Sequence, residues 1–213
     1  MKLIIKRCLL SIIPLLGLQA APTLAADNSS SVSFSDQSLS YEDNFQSGRY
    51  EIAVGGGALF SPIGTPKNRP KLNYALGLAQ FGLMLTSPPE DGFFRGNFEF
   101  APEVFAASIY EGPGKYIAGG TIWLRYNFIP HHSRLIPFLQ IGGGFVVTDI
   151  DHRYDGQDFN FNLAAATGLR FFVCPHSTVN LEYRFQHISN ANLGNRNLGI
   201  NAHGPILSVS YLF

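Results

Sequence analysis

The closing stretch of the chain, Tyr183–Phe213, reads YRFQHISNANLGNRNLGINAHGPILSVSYLF and decides the fold. In a β-strand, successive side chains point to opposite faces of the sheet. In the last strand, serines at even positions alternate with apolar residues at the odd positions Leu207, Val209, Tyr211 and Phe213. In the preceding strand, polar residues at even positions alternate with the odd-numbered Val179, Leu181, Tyr183 and Phe185. This parity predicts the last hairpin of a membrane β-barrel, in which the apolar face meets lipid and the polar face lines the interior.

Extending the same parity places several polar residues on the lipid-facing surface. His187 and Ser189 continue the apolar face of one strand, and Asn201 and His203 begin that of the next. Polar side chains are costly at lipid-facing positions, although less so near the interface. Their presence on this face therefore indicates a function.

Composition supports a membrane barrel and gives no sign of a nucleic-acid partner. The chain has 213 residues, a formal net charge of zero and 14% charged residues, against roughly 25% in ordinary soluble domains. Residues 1–26 combine a basic start, an apolar run and small residues near Ala26. This pattern predicts a cleaved secretory signal peptide and, with a barrel, the bacterial cell outer membrane as destination.

The rest of the chain divides into an arm and a barrel. Residues 27–47 are serine-rich and polar, which predicts a flexible N-terminal arm. Residues 48–213 contain eight strand-like segments separated by turn signals, and no remaining stretch is long and apolar enough for a membrane helix. We therefore predict an all-β fold, an eight-stranded antiparallel transmembrane β-barrel with its longer loops outside.

Charged residues at interior positions predict a packed network. The inward-facing set is Arg95, Arg125, Arg170 and Arg184, with Glu99, Glu103 and Glu182 as partners. An eight-stranded barrel is just wide enough to be filled by side chains. A pore or proton path is the alternative interpretation, and the narrow interior argues against it.

His187, Ser189 and Asn201 have the composition of a hydrolytic site. A regular hairpin would place His187 opposite Asn201, so that Asn201 could orient the ring while the other ring nitrogen takes the proton of Ser189. Backbone N–H groups after Ser189, with the Asn190 amide, could stabilise an oxyanion. His-x-Ser alone is a weak signal, and an interfacial His187 with a polar tip is the alternative. The other histidines lack metal-ligand spacing.

The run His187-Ile188-Ser189-Asn190-Ala191, followed by Gly199-Ile200-Asn201, resembles the lipid A 3-O-deacylase (PagL-like, acyloxyacyl hydrolase) family. The close match covers roughly the last thirty residues, and the rest agrees in architecture. The resemblance implies an eight-stranded outer-membrane barrel that hydrolyses the ester-linked 3-O acyl chain of lipid A. It also implies that Ser189 is the nucleophile, His187 the base and Asn190 an oxyanion contributor.

The chain departs from the family pattern at Asn201, where the best-known enzymes have a glutamate. An amide orients imidazole but stabilises imidazolium less than a carboxylate does. Outer-membrane phospholipase A, a larger barrel, is similar in using serine, histidine and asparagine on its lipid-facing surface. Glu182 cannot replace the missing carboxylate because its parity points inward.

Three functions follow from the sequence. The first is an esterase acting on lipid A or lipopolysaccharide in the outer leaflet, the second a phospholipase with the same residues, and the third a non-catalytic structural or lipid-binding barrel. No cofactor motif is present, but calcium dependence stays open because lipid phosphates could recruit a cation. The oligomeric state, including a homodimer, is also left open.

Overall fold

The computed structural model describes residues 41–63, 65–66 and 68–213. The predicted signal peptide and residues 27–40 of the predicted arm lie outside the described residues. The strands are β1 Tyr50–Leu59, β2 Asn73–Met84, β3 Gly96–Glu111, β4 Tyr116–Phe128, β5 Leu135–Thr148, β6 Phe159–Cys174, β7 Ser177–Ser189 and β8 Ile200–Leu212. Each pairs antiparallel with its sequence neighbour, and β1 pairs with β8 to close the barrel. The predicted eight-stranded antiparallel barrel is confirmed.

The parity of the last hairpin is also as predicted. Even-numbered residues of β7 are buried inside the barrel, whereas odd-numbered residues face outward. The same alternation runs along β8, where Leu207, Val209 and Tyr211 are each about half exposed. Large apolar side chains therefore cover the exterior, which is typical of a lipid-facing wall.

One charged cluster of the interior is built around Arg125 and Arg170. Arg170 contacts Glu99 at 2.8 Å and Glu51 at 2.5 Å, and Arg125 contacts Glu99 at 3.0 Å. All four side chains are almost completely buried. Glu51 was not among the predicted partners, and it completes this cluster because β1 lies beside β2 and β8 in the closed sheet.

A second charged cluster of the interior is built around Arg184. Its guanidinium makes a two-pronged contact with Glu103, at 2.6 and 2.8 Å, and bonds Glu182 at 2.6 Å. Its carbon Cζ lies 4.7 Å from the ring centre of Trp123. The predicted interior network is therefore present for Arg125, Arg170 and Arg184, each of which is held by carboxylates, as burial of charge requires.

The prediction of a flexible arm over residues 27–47 is wrong for residues 41–45. Tyr41–Phe45 form a 3₁₀ helix, and Phe45 is fully buried. Phe45 packs in an apolar cluster with Ile136 and Phe172. The serine-rich composition drew attention away from Tyr41 and Phe45. Their packing against the end of the barrel offsets the conformational entropy that is lost when the segment is ordered.

Arg95 lies outside the interior network that the sequence predicted for it. Since β3 begins at Gly96, Arg95 sits in the turn before the strand, where it bonds Glu42 at 2.7 Å and the Ile129 carbonyl at 2.7 Å. Arg95 thereby ties the 3₁₀ helix to the end of the barrel that carries the β4–β5 and β6–β7 turns.

The opposite end carries the β5–β6 and β7–β8 loops. The β5–β6 loop contains a short helix, α1 His152–Asp155. Leu198 N–H donates to the Tyr154 carbonyl at 3.1 Å, and Arg196 Nη1 donates to the Arg153 carbonyl at 3.0 Å. The β5–β6 loop therefore stabilises the β7–β8 loop, which begins just after Ser189.

The helices of the structure can be compared with membrane-spanning helices in length and apolar character. In residues 41–63, 65–66 and 68–213, no helix has the length and apolar character needed to span a membrane.

Candidate active site

His187 and Asn201 lie directly opposite each other in the β7–β8 ladder, as a regular hairpin predicts. His187 Nδ1 is 2.6 Å from Asn201 Oδ1. An amide oxygen only accepts, so Nδ1 carries the ring proton and Nε2 keeps its lone pair. The hydrogen bond thus fixes the tautomer in which Nε2 can act as a base.

Gly199 packs against the ring of His187. Its φ is +64°, in the left-handed region that favours glycine. A Cβ on this residue would lie 3.0 Å from His187 Cε1 and 3.8 Å from Nε2. The missing side chain therefore leaves room for the imidazole, a contact that sequence reasoning did not identify, although a glycine directly before β8 was a visible signal.

Ser189 is the last residue of β7 and lies on the same outward face as His187. It is partly exposed, beside Phe161 of β6. Within the described part of the chain, no hydrogen bond joins Ser189 to His187. Catalytic hydrogen bonds are often open without substrate and close when it binds, so this open contact is compatible with a serine–histidine pair.

The chain turns sharply straight after Ser189 and Asn190. Ala191 and Asn192 have φ values of +53° and +63°, a conformation that costs energy in residues with a Cβ and often marks functional turns. The Asn192 N–H donates to Asn190 Oδ1 and the Leu193 N–H to the Asn190 carbonyl. Among the described residues, the Ala191 N–H makes no hydrogen bond, so it is the donor of this turn that is available to an anion.

Asn190 holds this turn from within. Its side chain is buried; Nδ2 donates to the Arg196 carbonyl at 2.6 Å, and Oδ1 accepts from Asn192 N–H at 2.9 Å. The structure thus places the Asn190 amide behind Ser189, as part of the loop framework. Its role as an oxyanion contributor stays a prediction.

Glu182 lies on the inner face, as its parity predicts. It bonds Arg184 at 2.6 Å and accepts from Gln140 at 3.0 Å. Asn201, rather than Glu182, is therefore the side chain in contact with His187 Nδ1.

The loops around the site carry paired and unpaired charges. Arg153 bonds Asp151 at 2.6 Å, and its side-chain hydrogen bonds hold the pKa of Asp151 below its ordinary value. Arg196 is exposed, and its guanidinium contacts a carbonyl but no carboxylate of the described residues. Arg196 can therefore attract an anionic group near the β7–β8 loop.

Metal ligands do not cluster in this region. Across residues 41–63, 65–66 and 68–213, no group of three or more His, Cys, Asp or Glu side chains is arranged to hold a metal ion.

Comparison with known proteins adds a family and a fold. The model of the family "Lipid A 3-O-deacylase (PagL)" matches residues 80–210. The crystal structure of the outer membrane enzyme PagL superposes with a TM-score of 0.52 at 16% identity, covering 75% of this chain and 97% of that one. Neisserial surface protein A superposes with a TM-score of 0.52 at 17% identity, covering 78% and 98%. No curated protein sequence matches the chain.

These two structures match equally well, yet one is an outer membrane enzyme and the other a surface protein. At such low identity, the likeness shows the eight-stranded outer-membrane barrel fold and nothing finer. The family match is more informative, since it spans residues 80–210 and includes β7, β8 and the loop between them. This chain belongs to the lipid A 3-O-deacylase (PagL) family.

Proposed function

We propose that this protein is a serine carboxylic-ester hydrolase of the bacterial outer membrane that removes the 3-O-linked acyl chain of lipid A. The observation that carries the proposal is the 2.6 Å hydrogen bond from His187 Nδ1 to Asn201 Oδ1, two residues from Ser189 on the same outward face. It leaves Nε2 ready to take a proton beside a serine. Family membership supplies the reaction and the substrate class.

Acylation begins with attack of Ser189 Oγ on the ester carbonyl carbon. His187 Nε2 accepts the serine proton as the new C–O bond forms. The resulting oxyanion is held by the Ala191 N–H of the turn after Ser189, with Asn190 as a contributor. The bond to the sugar oxygen then breaks, and His187 returns the proton to that oxygen, so the sugar leaves as an alcohol.

Deacylation repeats these steps with water as nucleophile. His187 Nε2 takes a proton from water, whose oxygen attacks the acyl-serine carbonyl. Collapse of the second intermediate breaks the bond to Ser189 Oγ and returns the proton to it. The products are a free fatty acid and the original enzyme, so no cofactor is consumed.

Asn201 determines how well the imidazolium intermediate is stabilised. Its amide oxygen orients the ring and carries only a partial negative charge, so it stabilises the charged ring less than a carboxylate would. Replacing Asn201 with leucine removes the orientation altogether. Because general-base catalysis contributes about 10²–10⁴-fold, Asn201→Leu is expected to lose most of that factor.

The position of the site fits a substrate in the outer leaflet. It lies at the end of the barrel with the β5–β6 and β7–β8 loops, which in outer-membrane barrels face the cell exterior. The exposed Arg196 offers a cation for the phosphate groups of lipid A near the membrane surface.

Purified protein in detergent tests the proposal with lipid A and with phospholipid as separate substrates. Release of a 3-hydroxy fatty acid from lipid A by the wild type, and its loss in Ser189→Ala and His187→Ala, supports the deacylase. Parallel reactions with EDTA and with added calcium decide whether a cation is needed. Cross-linking of the purified protein measures whether it dimerises.

A phospholipase is the second candidate, favoured by the Asn201 contact because outer-membrane phospholipase A resembles this site in using an asparagine. It predicts fatty-acid release from phospholipid and none from lipid A. A barrel without catalysis predicts no release from either lipid by folded protein.

A further inference from the structure

Tyr183 and His203 form a second polar pair on the outward surface. The Tyr183 hydroxyl is 2.5 Å from His203 Nδ1. Tyr183 is 52% exposed, and His203 is partly exposed. Neither residue belongs to the proposed Ser189–His187–Asn201 site.

The surroundings of this pair are apolar. His203 lies opposite Phe185, and Tyr183 lies opposite Pro205, with Leu181 next along the outward face of β7. Tyrosines are common where a membrane meets water, but Tyr183 is the central residue of the strand Ser177–Ser189. An ionisable group at lipid-facing depth is costly and usually functional.

The barrel wall is irregular at this position. The β1–β8 ladder runs from Glu51↔Leu212 to Gly57↔Ile206 and resumes only at the isolated bridge Phe60↔His203. Pro205 lies in the gap, and its missing N–H cannot contribute to a ladder. A polar pair and an interrupted ladder therefore coincide on one patch of the exterior.

This patch adjoins the proposed catalytic site. His203 follows Asn201 by two residues on the same face of β8, about 6.6 Å further along the strand. When the Tyr183 hydroxyl donates to Nδ1, the neutral ring carries its proton on Nε2. Within the described part of the chain, His203 Nε2 makes no hydrogen bond, so it can donate to an oxygen of a bound molecule.

We propose that the Tyr183–His203 pair binds an oxygen substituent on an acyl chain of the substrate, next to the chain that is cleaved. The proposal rests on the proposed function, because a lipid with its scissile ester at Ser189 lays its other chains along the barrel wall past Asn201. Lipid A chains carry hydroxyl or ester oxygens within the acyl region, whereas common phospholipid chains are hydrocarbon beyond the glycerol ester. The pair would thus favour lipid A over phospholipid, since a site that donates a hydrogen bond disfavours a ligand that lacks the acceptor.

Binding measured without hydrolysis tests this directly. Every variant is made in the Ser189→Ala background, and native mass spectrometry gives dissociation constants for lipid A and for an analogue whose acyl chains lack hydroxyl and acyloxy groups. The parent is expected to prefer lipid A about tenfold, the value of one hydrogen bond. Tyr183→Phe and His203→Phe are expected to bring the ratio near one, mainly by weakening lipid A.

Tyr211→Phe is the matched control, because Tyr211 is also outward on β8 and about half exposed but lies near the other end of the strand. It is expected to keep the parent's preference. The proposal is overturned if the ratio is unchanged in Tyr183→Phe and His203→Phe, or if both lipids weaken equally. Binding to the Ser189→Ala variants requires no turnover, so it can be measured whether or not the wild type hydrolyses lipid A. Absence of hydrolysis by the wild type would therefore contradict the proposed function without affecting the binding test.

Discussion

At the residue scale, the candidate site depends on how the imidazole of His187 is held. Asn201 fixes its proton on Nδ1, and Gly199 leaves space along its Cε1 edge. The pairing of His187 with Asn201 could be predicted because strand parity and a hairpin determine it. The contact with Gly199 could not, since it depends on the path of the loop that enters β8.

Gly199→Ala is predicted to lower kcat with little loss of folded protein. The backbone at φ +64° costs an L-residue about 1–2 kcal/mol, and the added Cβ, 3.0 Å from Cε1, pushes the ring out of line. Gly48→Ala is the matched control: its φ is +85° and a Cβ there meets nothing within 4 Å. The measurement is fatty-acid release and thermal unfolding for both variants. Equal kcat in the two would refute the role of the contact.

At the element scale, turn signals and strand alternation predicted the number and antiparallel pairing of the eight strands, because alternation is imposed by lipid outside and packing inside. The N-terminal 3₁₀ helix Tyr41–Phe45 was missed because the contacts that hold it against the barrel are distant in sequence. Glu42 anchors it through Arg95 at 2.7 Å and through the His132 N–H at 2.8 Å. Burial alone would raise the pKa of Glu42, but these two partners outweigh burial and hold the pKa below its ordinary value.

Glu42→Gln is predicted to destabilise the barrel by about 1.5–3 kcal/mol near neutral pH, the value of hydrogen bonds to a charged group. Since the folded pKa is depressed, this stability is present above the unfolded pKa and is lost as pH falls through the folded one. Urea unfolding of both proteins should therefore show a difference in stability at pH 7 that narrows as the pH falls below about 4.3, the ordinary pKa of a glutamate. A gap that is constant with pH would contradict the assignment to the ionised carboxylate.

At the scale of the whole molecule, an interior packed with side chains supports a wall whose outward face carries the proposed site. Composition and parity predicted the closed barrel and most interior charges. They missed Glu51 and misplaced Arg95, because the exact start of β3 and the neighbours of β1 are set by closure of the sheet.

Arg184→Met is predicted to destabilise the fold by about 3–5 kcal/mol, because it leaves Glu103 and Glu182 buried without their cation. The triple variant Arg184→Met, Glu103→Gln, Glu182→Gln is expected to recover much of the loss. Urea unfolding in lipid vesicles measures both. A comparable loss of stability in both variants would show that packing by the arginine, rather than charge pairing, stabilises the cluster of Arg184, Glu103 and Glu182.

The most direct test of the central claim is mass spectrometry of lipid A from cells that express the wild type or Ser189→Ala at equal levels in the outer membrane. We predict that only the wild type yields lipid A lighter by one 3-O-linked hydroxyacyl chain. Unchanged lipid A in cells with folded, surface-inserted wild type would contradict the claim, as would the same chain loss with Ser189→Ala.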